Sequence, residues 1–144
     1  MKFVTRKRVK VDRVACPWLI TRFVDPQAEF IFVEPEDVLP TADKDGAIPF
    51  DVPGVELGHH GDECSFDAVL KKYELSAPGL DHLALIVRGA DTSSPHLARE
   101  AAGLAAIAAG FRSVAADDHE ALRLQFPLYD ALLAYCKEAT AANP

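Results

Sequence analysis

Cysteine is scarce in this chain and never paired at short spacing: Cys16, Cys64 and Cys136 are all there is among 144 residues. An odd count without a CxxC pair excludes a disulfide framework and a cysteine-built zinc knuckle, and it fits a reducing cytoplasm. Long apolar runs are missing too. No stretch approaches the roughly 20 residues a membrane-spanning helix needs, and the N-terminus lacks the apolar core of a signal peptide. A cytoplasmic protein with no membrane partner is therefore expected. Basic charge is in deficit, since 15 Lys and Arg against 22 Asp and Glu leave a formal net charge of -7. Phosphate backbones are gripped by clustered Lys and Arg, so direct nucleic-acid binding by this chain alone is not expected. Internal repeats, coiled-coil heptads, a glycine-rich phosphate loop and a nucleophile elbow are also absent, and no catalytic residue is assigned.

What is present is the ordinary balance of a folding domain, with 49% of residues hydrophobic and 26% charged. At this length the expectation is one domain over residues 1–144, with a frayed tail over 139–144. Lys2–Thr5 reads as a short strand. Pro17–Val24 reads as a helix capped by Asp12, with Pro17 in its first turn, where a missing N–H does little harm. Ala28–Val33 is rich in β-branched and aromatic residues and reads as a buried strand, and Ala47–Val52 as a second. A short helix over Pro35–Leu39 and a turn over Asp43–Gly46 separate them. Pro53–Asp62, with three glycines and a proline, predicts a loop, and the apolar spacing after Ser65 predicts a helix capped near Cys64 or Ser65. Further helices are expected over Gly79–Ala90, over Pro95–Ala109 with Gly110 as its C-cap, and through Leu122–Cys136, where Pro127 marks a kink or a start. The class is α+β: a predominantly helical single domain with a small sheet built from strands of the N-terminal half.

Chemistry concentrates in Gly58-His59-His60-Gly61-Asp62-Glu63-Cys64-Ser65-Phe66. Imidazole, carboxylate and thiol donors from one loop and helix start suit a divalent transition metal such as Zn, Fe or Mn. The candidate metal ligands are His59, His60, Cys64 and Asp91, with His82 or Asp12 as further donors. Adjacent side chains rarely share one small ligand, so one of the two histidines should face the site, and His60 is the choice. Arginine supplies the other chemistry. Arg6, Arg13 and Arg88 offer planar guanidinium forks to an oxyanion, and with His60 they form the candidate ligand-binding set. Arg88 and Asp91 are spaced to pair across one helical turn or to face a shared pocket. The single Trp18 belongs to the core by size, and His96 and His119 read as solvated or capping residues.

An ordered series of segments resembles the ChrB-type chromate resistance domain. It comprises Phe3-Val4-Thr5-Arg6, Val11-Asp12-Arg13-Val14-Ala15-Cys16-Pro17-Trp18-Leu19-Ile20, Phe50-Asp51-Val52-Pro53-Gly54-Val55-Glu56, the His59-His60 loop and Ile86-Val87-Arg88-Gly89-Ala90-Asp91. The likeness continues through Ala102-Gly103-Leu104, Asp117-Asp118-His119 and Tyr129-Asp130-Ala131-Leu132. It implies a role in chromate resistance, with chromate or a similar small oxyanion as the partner. In that family the domain is commonly the C-terminal half of a longer protein, some longer members being chromate-responsive regulators. The chain begins at the domain itself, so sensing or accessory detoxification carries over better than a DNA-reading role. The family's older description as an exported protein is at odds with the missing signal peptide.

Three functional classes follow. The first is an oxyanion-binding module that uses Arg6, Arg13 and a histidine. The second is a metalloenzyme or redox protein built on His59, His60 and Cys64. The third is an interaction domain whose polar signature residues brace loops; separately, the alanine-rich helix could pack against a second copy of itself.

Overall fold

The computed structural model describes residues 1–142. Three strands and six α-helices follow one another as β1 (Lys2–Arg6), α1 (Val11–Phe23), β2 (Glu29–Val33), α2 (Val38–Asp45), β3 (Ile48–Pro49), α3 (Ser65–Lys72), α4 (Leu80–Asp91), α5 (Ala101–Val114) and α6 (Asp118–Ala142). Short 3-10 turns at Pro35–Asp37 and Pro95–Leu97 introduce α2 and α5. The domain is helical for most of its length with one small sheet, as its patterning implies.

The sheet is parallel throughout in the order β2-β1-β3, with Phe3 opposite both Phe30 and Ile48. A central parallel strand is covered on both faces, which explains the unbroken buried run Phe3-Val4-Thr5. Successive side chains leave a strand on opposite sides. Phe3 accordingly packs with Phe30 and Phe50 in the main core, whereas Val4 joins Val38, Ala42, Ala47 and Val52 under α2. The main core continues through Trp18, Leu19, Phe66, Leu83, Ile86 and Tyr129, so α1, α3, α4 and α6 close around one centre. Each fully buried side chain of this size contributes roughly 1.5–3 kcal/mol.

Several boundaries differ from the sequence reading, each for a local reason. Helix α1 begins at Val11, six residues before Pro17, which therefore sits inside the helix. An interior proline deprives the carbonyl four residues earlier of its donor. Burial of Val11, Val14 and Ala15 with Trp18 and Leu19 offsets that loss. Asp12 does not cap its own helix, because Lys10 holds that position without a side-chain bond. The second strand of the reading shrinks to Ile48–Pro49, since Pro49 carries no N–H for a ladder and suits only an edge. Helix α2 extends to Asp45 and stops at Gly46, whose left-handed φ of 63° terminates it. Gly110 caps nothing: α5 passes through it to Val114. Helix α6 likewise carries Pro127 in its interior and continues to Ala142, through residues expected to fray. The last two residues of that expected tail lie outside the described residues. Among the described residues no helix is long and apolar enough to cross a membrane.

Candidate functional site

Four ionisable side chains from four separate segments converge beside the C-terminal end of β1. Asp12 is the second residue of α1 and is 1% exposed. Its carboxylate accepts the backbone N–H groups of Ser65 at 2.7 Å and Phe66 at 3.1 Å, so it caps α3 from across the core. A carboxylate at a helix N-terminus gains from the free N–H groups and from the helix dipole. Asp51 follows β3 with a left-handed φ of 52° and is 4% exposed. It accepts Arg6 at 3.3 Å, Arg13 at 3.0 Å and the Ser65 hydroxyl at 2.8 Å. Asp91 closes α4 and accepts the Asp12 N–H at 3.4 Å.

His59 joins these three. Its Nε2 lies 3.3 Å from Asp12, 3.2 Å from Asp51 and 3.0 Å from Asp91, while the ring remains 45% exposed to solvent. The hydrogen bond to Asp12 is the chief reason that the imidazole titrates up at about 9, with the three carboxylate charges adding to it. At neutral pH His59 is therefore a cation. Burial drives the Asp12 pKa upward, and burial followed by the Asp12 and Asp51 charges raises Asp91 to about 7. Asp51, His59 and Asp91 floor a cavity of about 570 Å³ whose walls are Arg6, Arg13 and the Val52–Gly54 turn, with Asp12 buried behind them. Both guanidinium groups keep a buried Nε without a hydrogen-bond partner. With the carboxylates ionised, Arg6, Arg13 and His59 balance Asp12, Asp51 and Asp91 in formal charge.

The other residues singled out by sequence lie elsewhere. Of the adjacent histidines it is His59, not His60, that faces the cluster. His60 is held by an antiparallel bridge to Glu63, and its Nε2 donates to the Glu56 carbonyl at 2.8 Å. It lines a separate cavity of about 330 Å³ with Glu63, Cys64 and Lys71. Cys64 is the buried N-cap of α3, with its thiol 3.4 Å from the Asp67 carboxylate. Burial and the nearby Asp12 and Asp67 charges push that thiol's pKa far up, so no thiolate is available. The set His59, His60, Cys64 and Asp91 is thus not gathered at one point. Arg88 turns away from Arg6 and Arg13 as well. It grips Asp67 with two bonds of 3.0 and 2.8 Å instead of pairing with Asp91. His82 meets Glu100 at 3.2 Å, His119 stacks edge-on to Phe32, and Trp18 is buried with its indole N–H donated to Asp130 at 2.8 Å.

Sequence reasoning missed Asp51 as a site residue. The available signal was an acid set between Phe50 and Val52 in an apolar stretch, where a buried carboxylate is costly unless paired or coordinated.

A small parallel sheet wrapped by helices, with buried Asp12 and Asp51 and partly exposed Asp91 around one histidine beside a cavity, makes this an α+β domain with a candidate site. Sequence comparison narrows this: the family described as "ChrB, C-terminal domain" matches residues 3–136, and the chain belongs to that family. The chain is also similar to Protein ChrB of Cupriavidus metallidurans, 38% identical over 112 residues. That alignment covers 77% of this chain and 33% of the relative, so the chain spans about a third of that protein's length. No solved structure matches it.

Proposed function

We propose that this domain serves chromate resistance as an accessory or sensing module that takes up chromate, or a similar tetrahedral oxyanion, in the cavity walled by Arg6 and Arg13. The carrying observation is the pair of guanidinium groups, Arg6 and Arg13, that line one cavity beside His59. Guanidinium forks match the oxygens of a tetrahedral dianion, and a charge-assisted bond of this kind is roughly twice as strong as a neutral one. Membership of the ChrB C-terminal domain family supports the chromate assignment. In this reading an oxyanion draws Arg6 and Arg13 partly away from Asp51. That change reaches β1 and α1, the two segments that carry these arginines. The longer relative provides further chain to which such a change could be passed.

Isothermal titration of the purified domain with chromate and with sulfate tests the proposal. Saturable binding of chromate is expected, weakened at least tenfold by Arg13→Ala and by Arg6→Ala. Absence of saturable binding to either anion, or affinity unchanged in both variants, would overturn it.

A further inference from the structure

In the cluster beneath the arginines three carboxyl groups approach one imidazole nitrogen. Ligand atoms of Asp12, Asp51, His59 and Asp91 all lie within 4.8 Å of one another. Nε2 of His59 carries at most one hydrogen, which points at one oxygen, yet three carboxylates bring an oxygen to 3.3, 3.2 and 3.0 Å. That hydrogen can therefore point at only one of the three carboxyl groups. Asp12 and Asp51 are almost wholly buried; Asp51 is paired with Arg6 and Arg13, whereas Asp12 meets no arginine among the described residues, and buried charges are ordinarily paired or coordinate a cation.

The surroundings also aim these oxygens at a common point. Backbone N–H groups of Ser65 and Phe66 hold Asp12, the Ser65 hydroxyl and Arg13 hold Asp51, and the Asp12 N–H holds Asp91. Outer hydrogen bonds of this sort are what orient metal-ligating side chains. The imidazole separates this cluster from a merely acidic patch, because it brings a nitrogen donor into a ring of oxygens. One face of the cluster opens into the Arg6–Arg13 cavity.

We infer that Asp12, Asp51, His59 and Asp91 form a binding site for one divalent first-row cation, open on its cavity side to an anionic oxygen held by Arg6 and Arg13. The metal site stands on the cluster alone, whereas the anchoring of an anion on it rests on the oxyanion reading proposed above. Three carboxylates and one imidazole suit Mn²⁺, Fe²⁺ or Zn²⁺ and disfavour Cu⁺, which seeks thiolates. A divalent cation also adds positive charge beside Arg6 and Arg13, where an anionic oxygen would sit.

Titration of metal-free full chain with Mn²⁺, followed by loss of the free-ion electron paramagnetic resonance signal, gives the stoichiometry, and Zn²⁺ competition gives the site. One Mn²⁺ per chain is expected, displaced by Zn²⁺, with Kd raised at least tenfold by His59→Gln and by Asp91→Asn and unchanged by His60→Gln. These variants are preferred because Asp12 caps α3 and its replacement threatens folding. Folded protein that leaves both metals free, or binding unchanged in His59→Gln and Asp91→Asn, overturns the site. Chromate titration of metal-free and Mn²⁺-loaded protein separates the two readings, with at least tenfold tighter binding expected in the loaded form. Equal chromate binding in both forms overturns the anchoring and leaves the oxyanion reading standing. Mn²⁺ held by the cluster with chromate bound by neither form overturns the oxyanion reading and leaves the metal site.

Discussion

Two groups of charged side chains lie on either side of the start of α3, and they are built differently. Arg88 and Asp67 meet as a fork on a carboxylate, and Asp67 also accepts the Cys64 N–H at 3.0 Å, so the acceptors there are matched by donors. Around His59 three carboxylates, each also held by other donors, approach one ring nitrogen. A matched pair fastens α4 to α3. The cluster beside the cavity instead gathers side chains from four separate segments around one half-exposed ring. The neighbouring histidines make the same contrast, since His60 is satisfied by a carbonyl and His59 is shared among three acids.

Breaking the cluster at its most buried member should have the largest effect. Asp12→Ala leaves the first N–H groups of α3 without an acceptor inside the core. A loss of about 3–5 kcal/mol is expected, as for removal of one partner of a buried charged group, read from the urea midpoint. Arg88→Ala comes next, at about 2 kcal/mol, because Asp67 keeps its backbone donor while losing its fork. That variant should leave chromate and metal titrations unchanged, and any shift in either would dissolve the distinction between the two groups. His59→Gln should cost less than about 1 kcal/mol, because the ring is partly exposed. It should nevertheless weaken Mn²⁺ binding at least tenfold, a combination opposite to that of Arg88→Ala.

The smallest effect concerns pH. Arg22 holds the Asp130 carboxyl below its ordinary value of 3.8, helped by the Trp18 N–H. A carboxyl depressed in the folded state contributes stability that is present above its unfolded pKa and lost as pH falls through the folded one. Asp130→Asn should therefore flatten the acid limb of the stability curve below about pH 4. At pH 7 the pair is solvent-screened and worth about 0–1 kcal/mol. An acid limb identical in the variant and the parent would remove Asp130 from this account.

Much of the fold was legible because its signals are local. Phe30-Ile31-Phe32-Val33 reads as a strand from β-branched and aromatic content, and Leu80, Leu83, Ala84 and Val87 read as one helical face from their spacing; both elements are present. The errors came where tertiary burial outweighs local preference. Pro17 lies inside a helix whose packed face outweighs one lost hydrogen bond, and Gly110 is passed over by α5, whereas Pro127 sits within α6, one of its two expected places. The site was harder to read. Asp12, Asp51, His59 and Asp91 are up to 79 residues apart, and no spacing rule relates them.

The sequence by itself determined the helical α+β class, the family likeness and the loop in which donors concentrate, since periodicity, composition and short motifs are properties of neighbouring residues. Only the tertiary structure decided which histidine of the pair faces inward, that Arg88 pairs with Asp67, and that Asp12 caps a helix 53 residues away. The reason is physical: consecutive side chains in an irregular loop diverge, and the direction of each is set by what the fold packs against it. A buried carboxylate likewise gains its meaning from donors and acids brought together across the chain.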